Sequence, residues 1–328
     1  MTRLSVIVPT AGRSAHLEAC LRSLRADVGD DAEILLTVSP DVAVEAVVAP
    51  VAELCDHILD VPAGFAAANN HAFRVARGEY LACVNDDAII EPGWSQELVG
   101  LLDRQRRIAA VQGIVMKLGG QHIDGAGIGW NSSFQAIQLG HGEPMPAGAG
   151  KTPRPVFGVS ATAAVFRRSA LQEVAIGATS ADRPFGDGPF DERLFAYYED
   201  VDLALRLHAA GHQTWIVPAA RALHAGSSTG RRLPWGGRAL IHGNRILVLA
   251  RRLRTGDFIS ILPAVLLRDL RDAAGHLRSG DVSAAVGVFV GGCRALGRLP
   301  SRLFTAGGRQ GIAALRRFPS QLDEVLGG

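Results

Sequence analysis

Tyr80-Leu81-Ala82-Cys83-Val84-Asn85-Asp86-Asp87 is the stretch that decides the reading of this chain: a short run without charge ends on an amide and two adjacent carboxylates. A run that is apolar at both parities suits a strand buried on both faces, as in a parallel sheet covered by helices. Ligands of such sheets bind beyond the carboxyl ends of the strands. Two neighbouring carboxylates there repel each other unless a cation compensates. Mg²⁺ or Mn²⁺ suits the position, because hard cations take carboxylate oxygens and share them with diphosphates. A plain turn fits the same residues, since Asn and Asp favour turns.

The flanking sequence repeats the strand pattern. Strands are expected over 4–8, 33–38, 57–61 and 108–112. Helices are expected over 42–54 and 66–76 and around the periodic sets Leu17, Cys20, Leu21, Leu24 and Trp94, Leu98, Leu101, Leu102. This alternation predicts an α/β fold with a mostly parallel central sheet, and it points to the loops after Val8, Val38, Val61 and Val84. Residues 113–155, rich in Gly and Pro, read as irregular strands and loops. A strand over 156–166, a short helix over 169–174, a helix from Glu199 or Asp200 to Gly211, and a last strand over 213–217 stopped by Pro218 come next.

The chain has 328 residues and a formal net charge of +2, and that charge is a cancellation. Residues 1–220 carry net −9. Residues 221–328 carry net +11, with every basic residue an arginine. The division predicts two parts, 1–230 and 231–328, the second an Arg-rich helical region. A hydrophobic content of 48% excludes a disordered chain or a collagen-like repeat. Four scattered cysteines without a CxxC pair argue for free thiols in a reducing compartment. GxGxxG and GxxxxGK[ST] do not occur. The N-terminus runs straight into the first strand with no signal-peptide core, and the apolar runs 258–267 and 282–290 fall short of the ~18 residues that span a bilayer. A cytoplasmic protein is therefore expected, one that can still touch a membrane.

Two further constellations carry chemistry. Tyr197-Tyr198-Glu199-Asp200-Val201-Asp202 packs two of the three tyrosines against three carboxylates. Acids in a first helical turn are favoured by the helix dipole, and a carboxylate shielded by rings has a raised pKa and serves as a general base. His224, in a Gly/Ser-rich loop, reads either as a surface histidine or as a third metal ligand. Gly64, Asn69 and Asn70 open a helix whose free N–H groups suit a phosphate or a base. Pro9, Thr10, Gly12 and Arg13 form the first strand's exit loop.

Together these residues resemble family 2 glycosyltransferases of the GT-A fold, most closely the bacterial rhamnosyltransferase-type members that build cell-envelope polysaccharides. The resemblance spans roughly residues 4–230. It rests on Val6 to Thr10 with Arg13, on Gly64 to Asn70, on Arg77-Gly78-Glu79-Tyr80 and on Asn85-Asp86-Asp87. It continues through Gly158 to Arg168 and Phe190 to Leu207, and closes on Val217-Pro218 and His224. The resemblance implies inverting transfer from a nucleoside diphosphate sugar to a hydroxyl of a lipid-linked or polymeric glycan. Asp200 is then the general base. Asp87 and His224 hold Mg²⁺ or Mn²⁺, and Pro9, Thr10, Arg13, Gly64, Asn69, Asn85 and Asp86 line the donor. Tyr198, Glu199 and Asp202 would orient the base or acceptor.

Two departures stand out. The DxD element begins with Asn85, and Thr37-Val38-Ser39-Pro40-Asp41 replaces the usual nucleobase-contacting Asp-Asn/Gly-Ser, leaving Ser39 or Asp41 as substitutes. Uridine, thymidine and guanosine donors all remain open. The same fold also serves polyprenyl-phosphate sugar transferases and non-catalytic nucleotide-sugar-binding scaffolds.

The arginine-rich tail, exemplified by Arg245-Ile246-Leu247-Val248-Leu249-Ala250-Arg251-Arg252, suits helices lying on an anionic membrane, and a bundle packed on the catalytic part with a solvated Arg face fits the same pattern. Sparse aromatics argue against nucleic acid. The expected location is the inner face of the plasma membrane.

Overall fold

Along β1 (Leu4–Thr10), alternate side chains enter two different cores. Val6 and Val8 pack with Leu21 and Leu24 of α1 (Leu17–Val28), while Ile7 packs with Phe73 of α3 (Phe65–Val75). Strands β2 (Ala32–Val38) and β4 (Tyr80–Val84) are likewise buried on both faces, which is why neither shows polar alternation. The computed structural model describes residues 3–40, 44–226, 236–299 and 310–327.

The main sheet runs β10-β12-β6-β11-β4-β1-β2-β3, with β3 (His57–Asp60), β6 (Ile108–Lys117), β10 (Arg154–Val156), β11 (Ala163–Arg167) and β12 (Gln213–His224). From β3 to β4 it is parallel. β11 then inserts antiparallel between β4 and β6, and β6 and β12 are again parallel. The 42–54 region forms only α2 (Val44–Val48) and one 3₁₀ turn (Ala52–Leu54). α4 (Trp94–Arg104) and α5 (Arg168–Glu173) complete the helices of this part before the strand–helix end.

Two expectations about strands are corrected. Residues 156–166 are not one strand. Gly158 to Thr162 breaks them, with Ser160 N–H on Gln112 Oε1 at 2.7 Å, so that β10 lies at the sheet edge and β11 at its centre. Pro218 does not end the last strand. The ladder with β6 shifts register between Val217 and Arg221, a bulge that absorbs the missing N–H and carries the strand on to His224.

α6 (Glu199–Ala209) begins after a strained turn. Phe195, Tyr197 and Tyr198 all have positive φ, between 63° and 70°, at about 1–3 kcal/mol each. The turn is held from outside by α7 (Gly236–Arg252). Asn244 Nδ2 lies 2.9–3.0 Å from the carbonyl oxygens of Leu194, Ala196 and Tyr197. Gly64, at φ 110°, admits the Phe195 ring on the other side, since a Cβ there would meet it at 2.9 Å.

The boundary placed near residue 230 falls outside the described residues. The helices beyond it share a hydrophobic cluster with the first part. Val201 and Leu205 of α6 pack with Ile246 and Leu249 of α7, and with Phe258, Ile261 and Val265 of α8 (Thr255–Arg278). The stretch read as lying on a membrane, Arg245 to Arg252, is instead turned inward. Arg252 Nε is 2.6 Å from Asp202, Arg251 pairs with Asp191, and Arg245, only 1% exposed, pairs with Asp269. α9 (Val282–Arg298) crosses α7 where Gly291 meets Ala239 and Gly243. With Leu299, α9 makes an 18-residue window of mean hydropathy 1.3, long and apolar enough to cross a membrane by length and composition alone. That corrects the expectation from uninterrupted apolar runs, because Arg294 and Arg298 interrupt the run without lowering its mean enough. In this fold 39% of that window is buried. Two short helices, α10 (Ala313–Arg316) and α11 (Asp323–Leu326), end the chain, and α11 closes over the sheet near β10.

Burial disfavours the Asp202 anion, but Arg252 and Arg206 hold its pKa far below the usual carboxylate range. The stabilisation is therefore complete above about pH 4 and lost as pH falls below it. Asp202→Ala at neutral pH leaves two guanidiniums uncompensated and should cost about 3–5 kcal/mol in urea unfolding. A cost below about 1 kcal/mol would show that the pair does not dock the tail. Asn244→Ala should cost about 1–3 kcal/mol in the same assay, and an unchanged midpoint would remove its role in holding the turn.

Candidate active site

Strand register assembles the site. β5 (Ala88–Ile90) pairs antiparallel with β12 so that Ala88 faces His224, which brings Asp87 alongside the imidazole. Asp87 Oδ1 lies 3.1 Å from His224 Nε2. β7 (Ile123–Gly125) folds back on β6 and delivers Asp124 to the other ring nitrogen, with Oδ2 2.7 Å from Nδ1. Asn85 Nδ2 is 3.4 Å from Nε2. Burial alone would lower the His224 pKa. The hydrogen bonds and charges of Asp124 and Asp87 outweigh it and raise the pKa to about 9.

The donor set fits a divalent cation. A carboxylate oxygen and an imidazole nitrogen converge, and a second carboxylate on Nδ1 orients the ring, the arrangement by which metal-binding histidines are held. Among the described residues, His242, Asp269 and Asp272 form another such cluster. There the Arg245 guanidinium already sits on Asp269, so that cluster reads as a structural ion network.

Asp86 belongs to the other side of the same loop. It accepts from Thr10 Oγ1 at 2.6 Å, and burial raises its pKa to about 6. Pro9, Thr10 and Arg13 lie at or just beyond the carboxyl end of β1, and Ser39 N–H bonds to the Thr10 carbonyl from β2. These residues thus form one edge, the expected place for a donor. Asp41 lies outside the described residues. Asn69, expected to line the donor, lies one turn into α3. It is buried, its Nδ2 donates to the Phe65 carbonyl one turn back, and its Oδ1 has no partner among the described residues. Its neighbour Asn70 instead holds the Phe190 backbone through both a donor and an acceptor.

A cavity of about 1380 Å³ opens beside the Asn85–Asp87 loop. Its wall includes Asn85, Asp124, His224, Tyr198, Glu199 and Asp200. Strands β8 (Ile128–Trp130) and β9 (Ala136–Gln138) form its far side, and Ala136 N–H donates to the Tyr198 hydroxyl at 3.2 Å. The three carboxylates at the start of α6 have separated. Glu199 is buried, with Oε2 unpartnered among the described residues, and burial together with the Asp200 charge raises its pKa well above the ordinary range. Asp200 is half-buried. Burial pushes it up to about 6 against backbone N–H donors, Val201 N–H at 2.8 Å among them. Asp202, expected to orient the base, is not in the cavity wall and serves the tail instead.

Asp124 and Asn244 belong to no motif that the sequence shows. Asp124 is a single acid in a glycine-rich stretch, a hundred residues from its histidine, and its isolation among apolar neighbours was the only signal. Asn244, inside an apolar helix between Gly243 and Arg245, offered a similar one.

The family model described as glycosyl transferase family 2 matches residues 5–175. The N-acetylglucosaminyl-diphospho-decaprenol L-rhamnosyltransferase of Mycobacterium tuberculosis is 37% identical over 99 residues, covering 30% of this chain and 28% of that protein. The O-antigen biosynthesis protein RfbC of Myxococcus xanthus is 27% identical over 176 residues, 52% of this chain and 13% of that protein. The chain thus spans less than a third of either relative. Among solved structures, GalNAc-T7 with UDP, GalNAc and Mn²⁺ superposes with a TM-score of 0.59 at 15% identity, over 78% of this chain and 49% of that one. The mannosyltransferase PcManGT from Pyrobaculum calidifontis, in complex with GDP-Man and Mn²⁺, gives 0.55 at 15% identity, over 90% and 87%. With the family model matched over more than half its length and its sheet superposing on GT-A enzymes, the chain belongs to glycosyl transferase family 2.

Proposed function

We propose that this protein transfers a sugar, with inversion, from a nucleoside diphosphate sugar to a hydroxyl of a lipid-linked or polymeric cell-envelope glycan. The observation that carries the reading is that Asp200 and His224, from opposite ends of the site, wall one cavity. The lipid-linked acceptor named for the Mycobacterium tuberculosis relative supports the acceptor class, and such an acceptor would keep the protein at the inner face of the plasma membrane.

Asp200 takes the proton of the acceptor hydroxyl. The hydroxyl oxygen bonds to the anomeric carbon as the bond to the diphosphate breaks on the opposite face. The environments of Glu199 and Asp200 push their pKa values apart, so Glu199 keeps its proton and Asp200 is the member that ionises near neutrality. A Mg²⁺ or Mn²⁺ ion held by Asp87 and His224 would neutralise the leaving diphosphate. Asp124 fixes the imidazole so that Nε2 faces Asp87. Thr10, Arg13, Ser39 and Asp86 form the donor edge, and Thr10 holds the Asp86 carboxylate in place. Tyr198 keeps the acceptor wall in position through Ala136.

Asp200→Asn should retain nucleotide-sugar binding by calorimetry and lose transfer by about a thousandfold or more; transfer within tenfold of wild type would remove Asp200 as base. In the wild type, kcat should fall on the acid side with an apparent pKa near 6, a value belonging to the Glu199–Asp200 pair. His224→Ala and Asp124→Asn should each weaken Mn²⁺-dependent nucleotide binding, the latter by about 10–100-fold. Unchanged affinity in both would remove the proposed metal site.

A further inference from the structure

Twelve large hydrophobic residues are exposed among the described residues, and eight of them lie on α8 and α9. On α8 they are Ile259, Leu267, Leu270 and Leu277, at spacings of eight, three and seven. On α9 they are Val282, Val286, Phe289 and Leu296, at four, three and seven. At 100° per residue each set occupies one stripe, opposite the buried face of its own helix. Three residues, Ser279 to Asp281, join the two helices into a hairpin. Leu270 is 67% exposed and Phe289 71%, the two highest values among these eight residues.

The charges on this hairpin are sorted. Each of its acids has a partner within the chain. Asp269 lies against His242 and Arg245, and Asp272 against Arg268. Asp257 accepts from Ile312 N–H, and Asp281 caps α9 through Ala284 N–H. Arg271 and Arg278 each follow a stripe leucine, Arg294 stands beside the α9 stripe, and all three are exposed. An apolar stripe bordered by exposed cations, with its anions engaged in pairs and a helix cap, complements a surface of acyl chains beneath anionic headgroups. A second copy of this chain would bring cations against cations.

We propose that the α8–α9 hairpin is a membrane-docking surface that inserts Leu270 and Phe289 among the acyl chains of an anionic bilayer, while its arginines meet the headgroups. This deepens the proposed function, on which it rests only for the reason a membrane is needed. The face differs from the Arg245–Arg252 segment that the sequence suggested, and it makes a different prediction about salt. Headgroup attraction is screened, whereas apolar insertion is not.

The test is co-sedimentation of the full chain with phosphatidylcholine vesicles, with and without phosphatidylglycerol, in the absence of donor and acceptor. Wild type should bind the anionic vesicles and keep a measurable part of that binding at high salt. Leu270→Glu/Phe289→Glu should weaken partitioning by about a hundredfold or more. Its circular dichroism and Mn²⁺-dependent nucleotide binding should stay unchanged, because both positions are exposed and neither belongs to the cavity wall. Wild type that binds neither vesicle overturns the proposal, as does a double variant that binds as well as wild type. So does a wild-type dimer that the double variant converts to monomer without any vesicle binding, which would make the face an interface between copies. Resistance to alkaline carbonate extraction would overturn it in favour of α9 crossing the bilayer. Failure of nucleotide binding in wild type bears on the proposed activity alone.

Discussion

Asp202 is fully buried and remains an anion because Arg206 from its own helix and Arg252 from α7 flank it. Burying a carboxylate without partners is among the costliest things a fold can do, so α6 is satisfied only when α7 lies against it. Once α7 is docked, the rest of the site is set. Asn244 reaches the left-handed turn before α6, Arg251 reaches Asp191, and the apolar faces of the two helices close into one cluster. The end of α6 that carries Asp200 is therefore shaped by a helix that comes after the last strand of the sheet.

The net −9 and +11 of the two parts are thus in part complementary surfaces of one molecule. Arginines at 251 and 252 neutralise acids at 191 and 202 across the boundary. The charge that remains for an outside partner lies farther along, on α8 and α9, where the acids are occupied and the arginines are exposed. Three carboxylates in one helical turn illustrate the same economy of charge. Burial and the neighbouring Asp200 charge push the Glu199 pKa well up, Asp200 shares the cavity wall with it, and Asp202 is paired inward.

Much of the fold was legible. Runs apolar at both parities, helices at 3.6-residue spacing and the acids ending the Tyr80–Val84 strand gave the parallel half of the sheet and its functional edge. The antiparallel half was less legible. Gly158 to Thr162 looks as apolar as the strands on either side, and only the hydrogen bond from Ser160 to Gln112 shows where the chain changes position. Pro218 signalled a stop, but a bulge is an equally good answer to a missing N–H, and periodicity does not distinguish them.

The sequence by itself determined the α/β class, the family, and the pairing of Asp87 and Asp200 with their regions of the sheet, because hydrophobic period and local motif are properties of neighbouring residues. The tertiary structure alone decided that Glu199 and Asp200 line the cavity while Asp202 does not, that Asp124 stands behind His224, and that the first arginine-rich helix belongs to the core. Those choices depend on what lies opposite in space, across a hundred residues of chain in the case of Asp124, and on whether a buried charge finds its partner there. Residue type and spacing carry no record of that distance.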